Sequence, residues 1–247
     1  MKFTKELWDA KAKNFPRFKK DNEEVIEVLS FFENNGVDFK DKNVLDLGCG
    51  TGRYALELAN RAKMVYAADI SDEMLRILNK DAKNFNINNV KSILCTWDEL
   101  DTSPLNLDII FASLTPALYS KESFLKALNS NIKSFCYIGW GRFKKSDFLE
   151  ELLNLHNLAL KTPLGLSKVL TWLEEENIKE PKIEYVTKTH TKTKDFDEMF
   201  KSMSWHVEAN GGVPNEKIIH DFLKKYEKNG EISYSEHREF GYALITK

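Results

Sequence analysis

Asn43-Val44-Leu45-Asp46-Leu47-Gly48-Cys49-Gly50-Thr51-Gly52 runs from a short apolar segment into three glycines on alternate positions, and Arg53 to Ala62 then has the composition of a helix. Strand, tight loop, helix is the order these residues predict, because closely spaced glycines release the backbone from the steric limits a Cβ imposes and let it approach a ligand. Working outward, Met64–Asp69 (MVYAAD) predicts a second strand and Ser71 to Phe85 a second helix, with Ser71 or Asp72 as its cap. Val90–Cys95, Leu107–Ser113 and Ser134–Trp140 predict three more strands, with Lys121 to Lys133 as a helix before the last. Strands alternating with helices imply a parallel sheet covered on both faces.

Asp46 stands two residues before the first glycine of the loop, and Asp69 ends the second strand. An acid at the second strand end lies beside the first loop in such a sheet and can accept hydrogen bonds from both ribose hydroxyls. The spacing is G-x-G-x-G, whereas a dinucleotide site has G-x-G-x-x-G with a pyrophosphate on the helix amino terminus. Asp46 would repel a pyrophosphate. It can instead help to hold the cationic methionine moiety of S-adenosylmethionine, directly or through water.

Val44 to Gly52 (VLDLGCGTG) with Ala67 to Leu75 (AADISDEML) closely resembles the class I S-adenosylmethionine-dependent methyltransferases, over roughly Val44 to Gly139. The resemblance implies an α/β fold: a Rossmann-like, doubly wound, seven-stranded, mostly parallel sheet with helices on both faces and a helical insertion after the fifth strand. It assigns Gly48, Gly50 and Gly52 to the cofactor backbone and Asp69 to the ribose. Ile70 and Met74 are expected to flank the adenosine, with Ser113 beside the cofactor. Where many members carry Gly-Asp-Ala at the adenine edge, this chain has Cys95-Thr96-Trp97 with Asp98 one position later. Thr96 or a backbone group is therefore the expected adenine partner, and Trp97 has two readings, a surface on which the base packs or a plug in the core.

Ligands of a doubly wound sheet lie beyond the carboxyl ends of its strands, which places Ser113 to Tyr119 (SLTPALY), Thr115 included, at the methyl acceptor. The segment lacks the Asn/Asp-Pro-Pro-aromatic pattern of enzymes that methylate exocyclic amines, and it lacks a Pro-Cys nucleophile. Methylation of a base nitrogen or of cytosine C5 is disfavoured. Alignment supplies much of the acceleration in an in-line displacement from a sulfonium. Where a base or polar clamp is needed, Tyr119, His190 and His206 are the candidates. Trp8 and Phe15 belong to a Trp-x-x-x-Ala-x-x-Phe lead-in like that of small-molecule methyltransferases, where it forms a lid; at a spacing of seven they also read as two aromatics anchoring a helix on the core. The expected organisation is an amino-terminal helical lid segment over residues 1–40 and a catalytic domain over 41–247 with its insertion at about 142–181.

Lys and Arg number 36 against 38 Asp and Glu, a net charge of −2, so no global positive field draws a polyanion. A local stripe exists in Lys182 to Lys194, where Lys188, His190, Lys192 and Lys194 alternate with Thr187, Thr189, Thr191 and Thr193; an edge strand protected by lysines and a track for phosphate or carboxylate groups are its two readings. Cys49, Cys95 and Cys136 are odd in number and widely spaced, which suits free thiols in a reducing, cytoplasmic setting. No signal-peptide core, membrane span or metal set is expected. The function these features predict is transfer of a methyl group from S-adenosylmethionine to a small molecule. The alternatives are a tRNA or protein methyltransferase and a non-catalytic protein that binds the cofactor.

Overall fold

The computed structural model describes residues 4–161 and 165–246. Its strands are β1 (Asn43–Leu47), β2 (Met64–Asp69), β3 (Val90–Leu94), β4 (Ile109–Ser113), β5 (Ser134–Lys145), β6 (Lys182–Asp195) and β7 (Glu231–Thr246), joined as a seven-stranded sheet in the order β3-β2-β1-β4-β5-β7-β6. The four pairings from β3 across to β5 are parallel. Side-chain hydrogen bonds join Thr189 to His237, Thr191 to Ser235 and Thr193 to Ser233, an opposed register that makes β6 and β7 antiparallel. β1 lies between β2 and β4, so the sheet reverses its winding there, and the crevice beyond the carboxyl ends of β1 and β4 is the ligand position this topology creates.

The helices are α1 (Lys5–Lys11), α2 (Glu23–Asn34), α3 (Ala55–Ala59), α4 (Asp72–Asn84), α5 (Lys121–Asn129), α6 (Asp147–Leu155), α7 (Leu166–Glu175), α8 (Phe196–Ala209) and α9 (Glu216–Tyr226). The sequence predicts one helical run from Phe3 to Asn35, of which Phe3 lies outside the described residues. The run is broken because Pro16 biases Phe15 to extended backbone (ψ 145), and Asn22 then caps a fresh start by accepting from Val25 N–H. The helix predicted from Leu164, itself outside the described residues, begins at Leu166 as α7. The sequence reading missed α8, although Asp195 caps it at Glu198 N–H (2.8 Å) and Met199, Met203 and Val207 repeat every four residues along its buried side.

The chain divides into two compact units. The larger comprises the described residues up to Gly139 with Lys168–Glu184 and the end of β7 from Tyr242. Its core holds Val44, Leu45 and Ile110 from the sheet, with Phe32 of α2 edge-on to Phe111 (5.9 Å between centroids) and Phe124 of α5 between Phe135 (5.3 Å) and Trp172 of α7 (5.8 Å). The smaller unit comprises the described residues of Trp140–Ser167 and Tyr185–Gly241. There α6, α8 and α9 pool Leu149, Met203 and Phe222 against β7, and Phe148 stacks on Tyr234 at 4.8 Å. Helices thus lie both in the segment after β5, where the insertion was expected, and between β6 and β7. Among the described residues no helix is long and apolar enough to cross a membrane.

In the larger unit the amino-terminal segment is fastened to α4. Ser71, wholly buried, accepts from Met74 N–H (3.1 Å) and donates to Asp9 Oδ1 (2.5 Å); Ala12 and Trp8 pack on Met74 and Ile77, and Arg17 pairs with Asp81. Ser71→Ala should lose about 1–2 kcal/mol of stability to urea unfolding, the usual cost of a helix cap. Because the same hydroxyl serves α1, Asp9→Ala added to Ser71→Ala should cost less than the sum of the two single changes, a non-additivity that a double-mutant cycle measures.

Candidate functional site

The glycine loop turns back beneath the end of β2, where Gly48 N–H (2.8 Å) and Cys49 N–H (3.1 Å) both donate to the carbonyl of Ala68. Gly48, Gly50 and Gly52 have φ of +71°, +53° and +86°. At Gly48 a Cβ would stand 2.0 Å from Thr115 Oγ1, so only glycine lets the loop meet the turn after β4. At Gly50 the nearest atom to such a Cβ is Phe15 Cε1, 3.1 Å away, which places the Phe15 ring over the loop. Thr51 Oγ1 donates to the carbonyl of Pro16 (2.5 Å), and Trp8 meets Phe15 edge-on at 6.1 Å. The lead-in segment is therefore packed on the loop.

Asp69 spans loop and helix: Oδ2 accepts from Gly50 N–H (2.8 Å) and Oδ1 from Ser71 N–H (2.9 Å). Burial raises its pKa, and these backbone donors oppose the rise. Asp46 is 2% exposed, and its Oδ2 is buried with no hydrogen-bond partner among the described residues. Burial first, then the charge of Asp69, pushes Asp46 up to about 8, against the pull of the Ala55 N–H. Burial likewise holds the Cys49 thiol well above its usual range. Two coupled carboxylates at the switch point, one with an idle oxygen, make a place for a cation whose neighbouring hydroxyls need acceptors.

The other predicted residues fall as follows. Met74 is buried beneath Trp8, and Ile70 is half-buried just after β2. Ser113 ends β4 and hydrogen-bonds to Tyr54, which packs on Phe111. Thr115 spends its hydroxyl on Ala117 N–H (3.2 Å), and Leu114 before it takes a left-handed φ of +49°. Thr96 and Glu99 cap each other, with Thr96 Oγ1 donating to Glu99 Oε2 at 2.7 Å and accepting from Glu99 N–H at 3.3 Å. Trp97, expected to offer a face to the base, is a core plug: it is 4% exposed, its Nε1–H donates to the Ser123 carbonyl of α5 (2.8 Å), and Lys126 lies 4.5 Å from its ring. Tyr119 is 62% exposed and donates to Asp98 Oδ2 (3.1 Å), a pairing across 21 positions that no local pattern signals.

His190 and His206 belong to the smaller unit, so the structure does not bring them together with the loop residues in one unit. His206 is buried against Tyr234 (3.4 Å), and burial with the charges of Lys144 and Lys192 pushes its pKa down to about 3, which leaves a neutral ring and a weak proton acceptor. His190 is half-buried and edge-on to Phe240 at 6.4 Å. Asp9 and Thr51 tie the lead-in to the site and were missed, because their partners, Ser71 and Pro16, lie far along the chain although each residue sits inside a motif. Among the described residues no group of His, Cys, Asp and Glu could hold a metal ion.

A family profile described as a methyltransferase domain matches residues 38–204, and the chain belongs to that family. Curated relatives include a probable cobalt-precorrin-6B C(15)-methyltransferase (decarboxylating) of Methanocaldococcus jannaschii, 41% identical over 54 residues, covering 22% of this chain and 30% of the relative. Phosphoethanolamine N-methyltransferase 1 of Zea mays is 29% identical over 134 residues, 52% of this chain and 25% of the relative. The chain thus spans well under half the length of these curated relatives. Among solved structures, magnesium protoporphyrin IX methyltransferase from Synechocystis PCC 6803 with bound SAH superimposes with a TM-score of 0.51 at 16% identity, over 90% of this chain and 81% of that one. The fold is that of the S-adenosylmethionine-dependent methyltransferases, and S-adenosylmethionine is the cofactor the family implies.

The residues present fit that cofactor: the idle oxygen of Asp46 suits its ammonium, and Asp69 suits its ribose hydroxyls. A cation brought to Asp46 should restore an ordinary carboxylate pKa. S-adenosylmethionine binding near pH 6–7, below the raised value of about 8, is accordingly expected to release close to one proton per site. Calorimetry in buffers of different ionisation enthalpy reads that release, which should vanish in Asp46→Asn.

Proposed function

We propose that this chain transfers the methyl group of S-adenosylmethionine to a small-molecule acceptor and releases S-adenosylhomocysteine. The observation that carries the reading is the glycine loop at the β1/β4 switch point with the buried, unpartnered Oδ2 of Asp46 at the end of β1. When bound, the cofactor supplies an activated methyl on a sulfonium leaving group.

In this reading Asp46 holds the ammonium, directly or through water, and the backbone at Gly48, Gly50 and Gly52 lies against the methionine portion. Asp69 accepts from the ribose, and Ile70 and Met74 flank the nucleoside. Ser113 and Thr115 stand on the acceptor side of the switch point, where orienting the nucleophile in line with the methyl and excluding water supply much of the rate. Its bond to Asp98 raises the pKa of the Tyr119 phenol, so Tyr119 stays protonated at neutral pH with its one O–H turned to Asp98, and it serves the acceptor as a polar clamp through its oxygen rather than as a base. The small-molecule class is supported by the lead-in: Phe15 over Gly50 and Trp8 on Met74 form a cover suited to an enclosed acceptor. Three free thiols among the described residues are in keeping with a reducing, cytoplasmic setting.

The test is transfer of label from S-[methyl-14C]adenosylmethionine to a panel of small amines, hydroxyls and carboxylates, with bulk RNA and protein alongside, at low and high salt. Salt-insensitive labelling of a small molecule is expected. Labelling confined to RNA with steep salt dependence would overturn the acceptor class, and cofactor binding without turnover on any substrate would favour a non-catalytic role. Phe15→Ala should weaken cofactor binding by roughly 5- to 30-fold, the scale of about 1–2 kcal/mol for removing a packed aromatic face. Asp69→Ala should cost at least about tenfold, through loss of charge-assisted hydrogen bonds. Equilibrium titration of the folded variants measures both.

A further inference from the structure

The smaller unit holds a charged cluster that the methyl-donor site does not use. Its three long strands each contribute one cation, Lys144 from β5, Lys192 from β6 and Arg238 from β7, and all three converge on Glu236, which is 0% exposed. Lys192 Nζ lies 2.6 Å from Oε1, and Arg238 Nε and Lys144 Nζ lie 2.8 and 3.4 Å from Oε2; Tyr234 adds a hydroxyl to Oε1 at 3.2 Å. Among the described residues the three cations pair with no other acid. Three positive charges against one negative leave two positive charges in excess, on side chains only 12% (Lys144), 21% (Arg238) and 35% (Lys192) exposed.

That excess is the informative feature. One cation neutralises a buried carboxylate, and further like charges in the same half-buried space add repulsion and desolvation cost without a matching partner. Burial alone would raise the Glu236 pKa, yet the bond from Lys192 and the charges of Lys144 and Arg238 hold it well below the ordinary range, while burial lowers the Lys144 ammonium. His206, kept neutral behind the cluster, supplies no compensating charge. An aromatic surface adjoins it: Arg238 lies over Trp140 (5.6 Å), and Trp140 stacks on Phe240 at 5.5 Å. Glu236 then acts as the strut that gathers and aims the three cations, as a carboxylate holding a fork of donors does.

We infer that Lys144, Lys192 and Arg238, gathered by Glu236, form a binding site for a small anionic ligand bearing a carboxylate or a phosphate. The second reading of the basic stripe in β6 thereby narrows from a track along the strand to one point, since of that stripe only Lys192 joins the cluster. The stripe's Thr189, Thr191 and Thr193 are spent on the ladder to β7.

The experiment is calorimetric titration of the full chain with inorganic phosphate and, separately, with succinate, each at an ionic strength fixed with sodium chloride. Lys192→Met replaces the most exposed of the three cations, and Lys201→Met on the exposed surface of α8 is the control. Saturable binding of either probe above the chloride background is expected, weakened about tenfold in Lys192→Met and unchanged in Lys201→Met. Saturation by phosphate alone identifies a phosphate ligand, and saturation by succinate alone a carboxylate. No saturable binding of either to the folded wild-type chain, or equal affinity in folded Lys192→Met, would overturn the site and leave a purely structural ion cluster. If Lys192→Met does not fold, Lys192→Gln, which keeps a polar head beside Glu236, decides: affinity lowered about tenfold supports the site, and unchanged affinity would overturn the inference. Binding of S-adenosylmethionine in the same preparations separates failure of this site from failure of the proposed methyl transfer.

Discussion

The carboxylate of Asp69 holds the larger unit's functional end together. One oxygen takes the N–H of Gly50 and the other the N–H of Ser71, so a single side chain at the end of β2 fixes the glycine loop after β1 and the first turn of α4. Ser71 passes the connection on, capping α4 and donating to Asp9 of α1. That bridge joins the Ala68 carbonyl, which takes the N–H groups of Gly48 and Cys49, in holding the loop's left-handed glycines to one arrangement, since glycine gains its freedom at an entropic cost. Loop, second strand, fourth helix and amino-terminal cover are one hydrogen-bonded assembly whose centre is also the expected ribose acceptor.

Using a buried acid in this way has an electrostatic consequence next door. Asp46 shares the low-dielectric space with Asp69 and has fewer donors, so it absorbs the repulsion: its pKa rises while Asp69 is stabilised by backbone N–H groups. Such an arrangement is unfavourable for folding taken alone. Buried polar atoms without partners cost about 1–3 kcal/mol, and sites of this kind recur where a ligand of opposite charge completes them. The same reasoning carries over, with the sign reversed, to the three cations around Glu236.

The part of the site that was legible in the sequence is the part built from neighbours in the chain. Asn43 to Gly52 dictates strand and loop locally, Asp69 follows at a strand end, and Ser71 as a cap needs only its own helix. The parallel sheet followed from the alternation of elements, and the break at Pro16 could have been read from the residue itself. For Trp97 no local feature decides between base surface and core plug, because its burial depends on α5, whose Ser123 carbonyl receives the indole N–H across 26 positions of chain. The helix α8 was missed although Met199, Met203 and Val207 mark it, since the polar residues between them blur the stripe. The Glu236 cluster draws on residues from positions 144 to 238, and no local pattern can announce a meeting of three strands.

What distinguishes the two charged places is how each is held. At the loop the fixed groups are backbone donors and glycines, which define a shape before any ligand arrives, and the variable element is the protonation of Asp46. In the smaller unit the fixed group is a carboxylate and the variable element is how far three flexible cations are drawn onto it. Backbone geometry suits a ligand recognised along its whole length, as a nucleoside with a methionine tail is. Side-chain cations converging on a strut suit recognition of one terminal acidic group and tolerate what is attached to it. The two constructions are encoded differently: the first as a contiguous motif, the second as single residues dispersed over strands that meet only in the folded sheet.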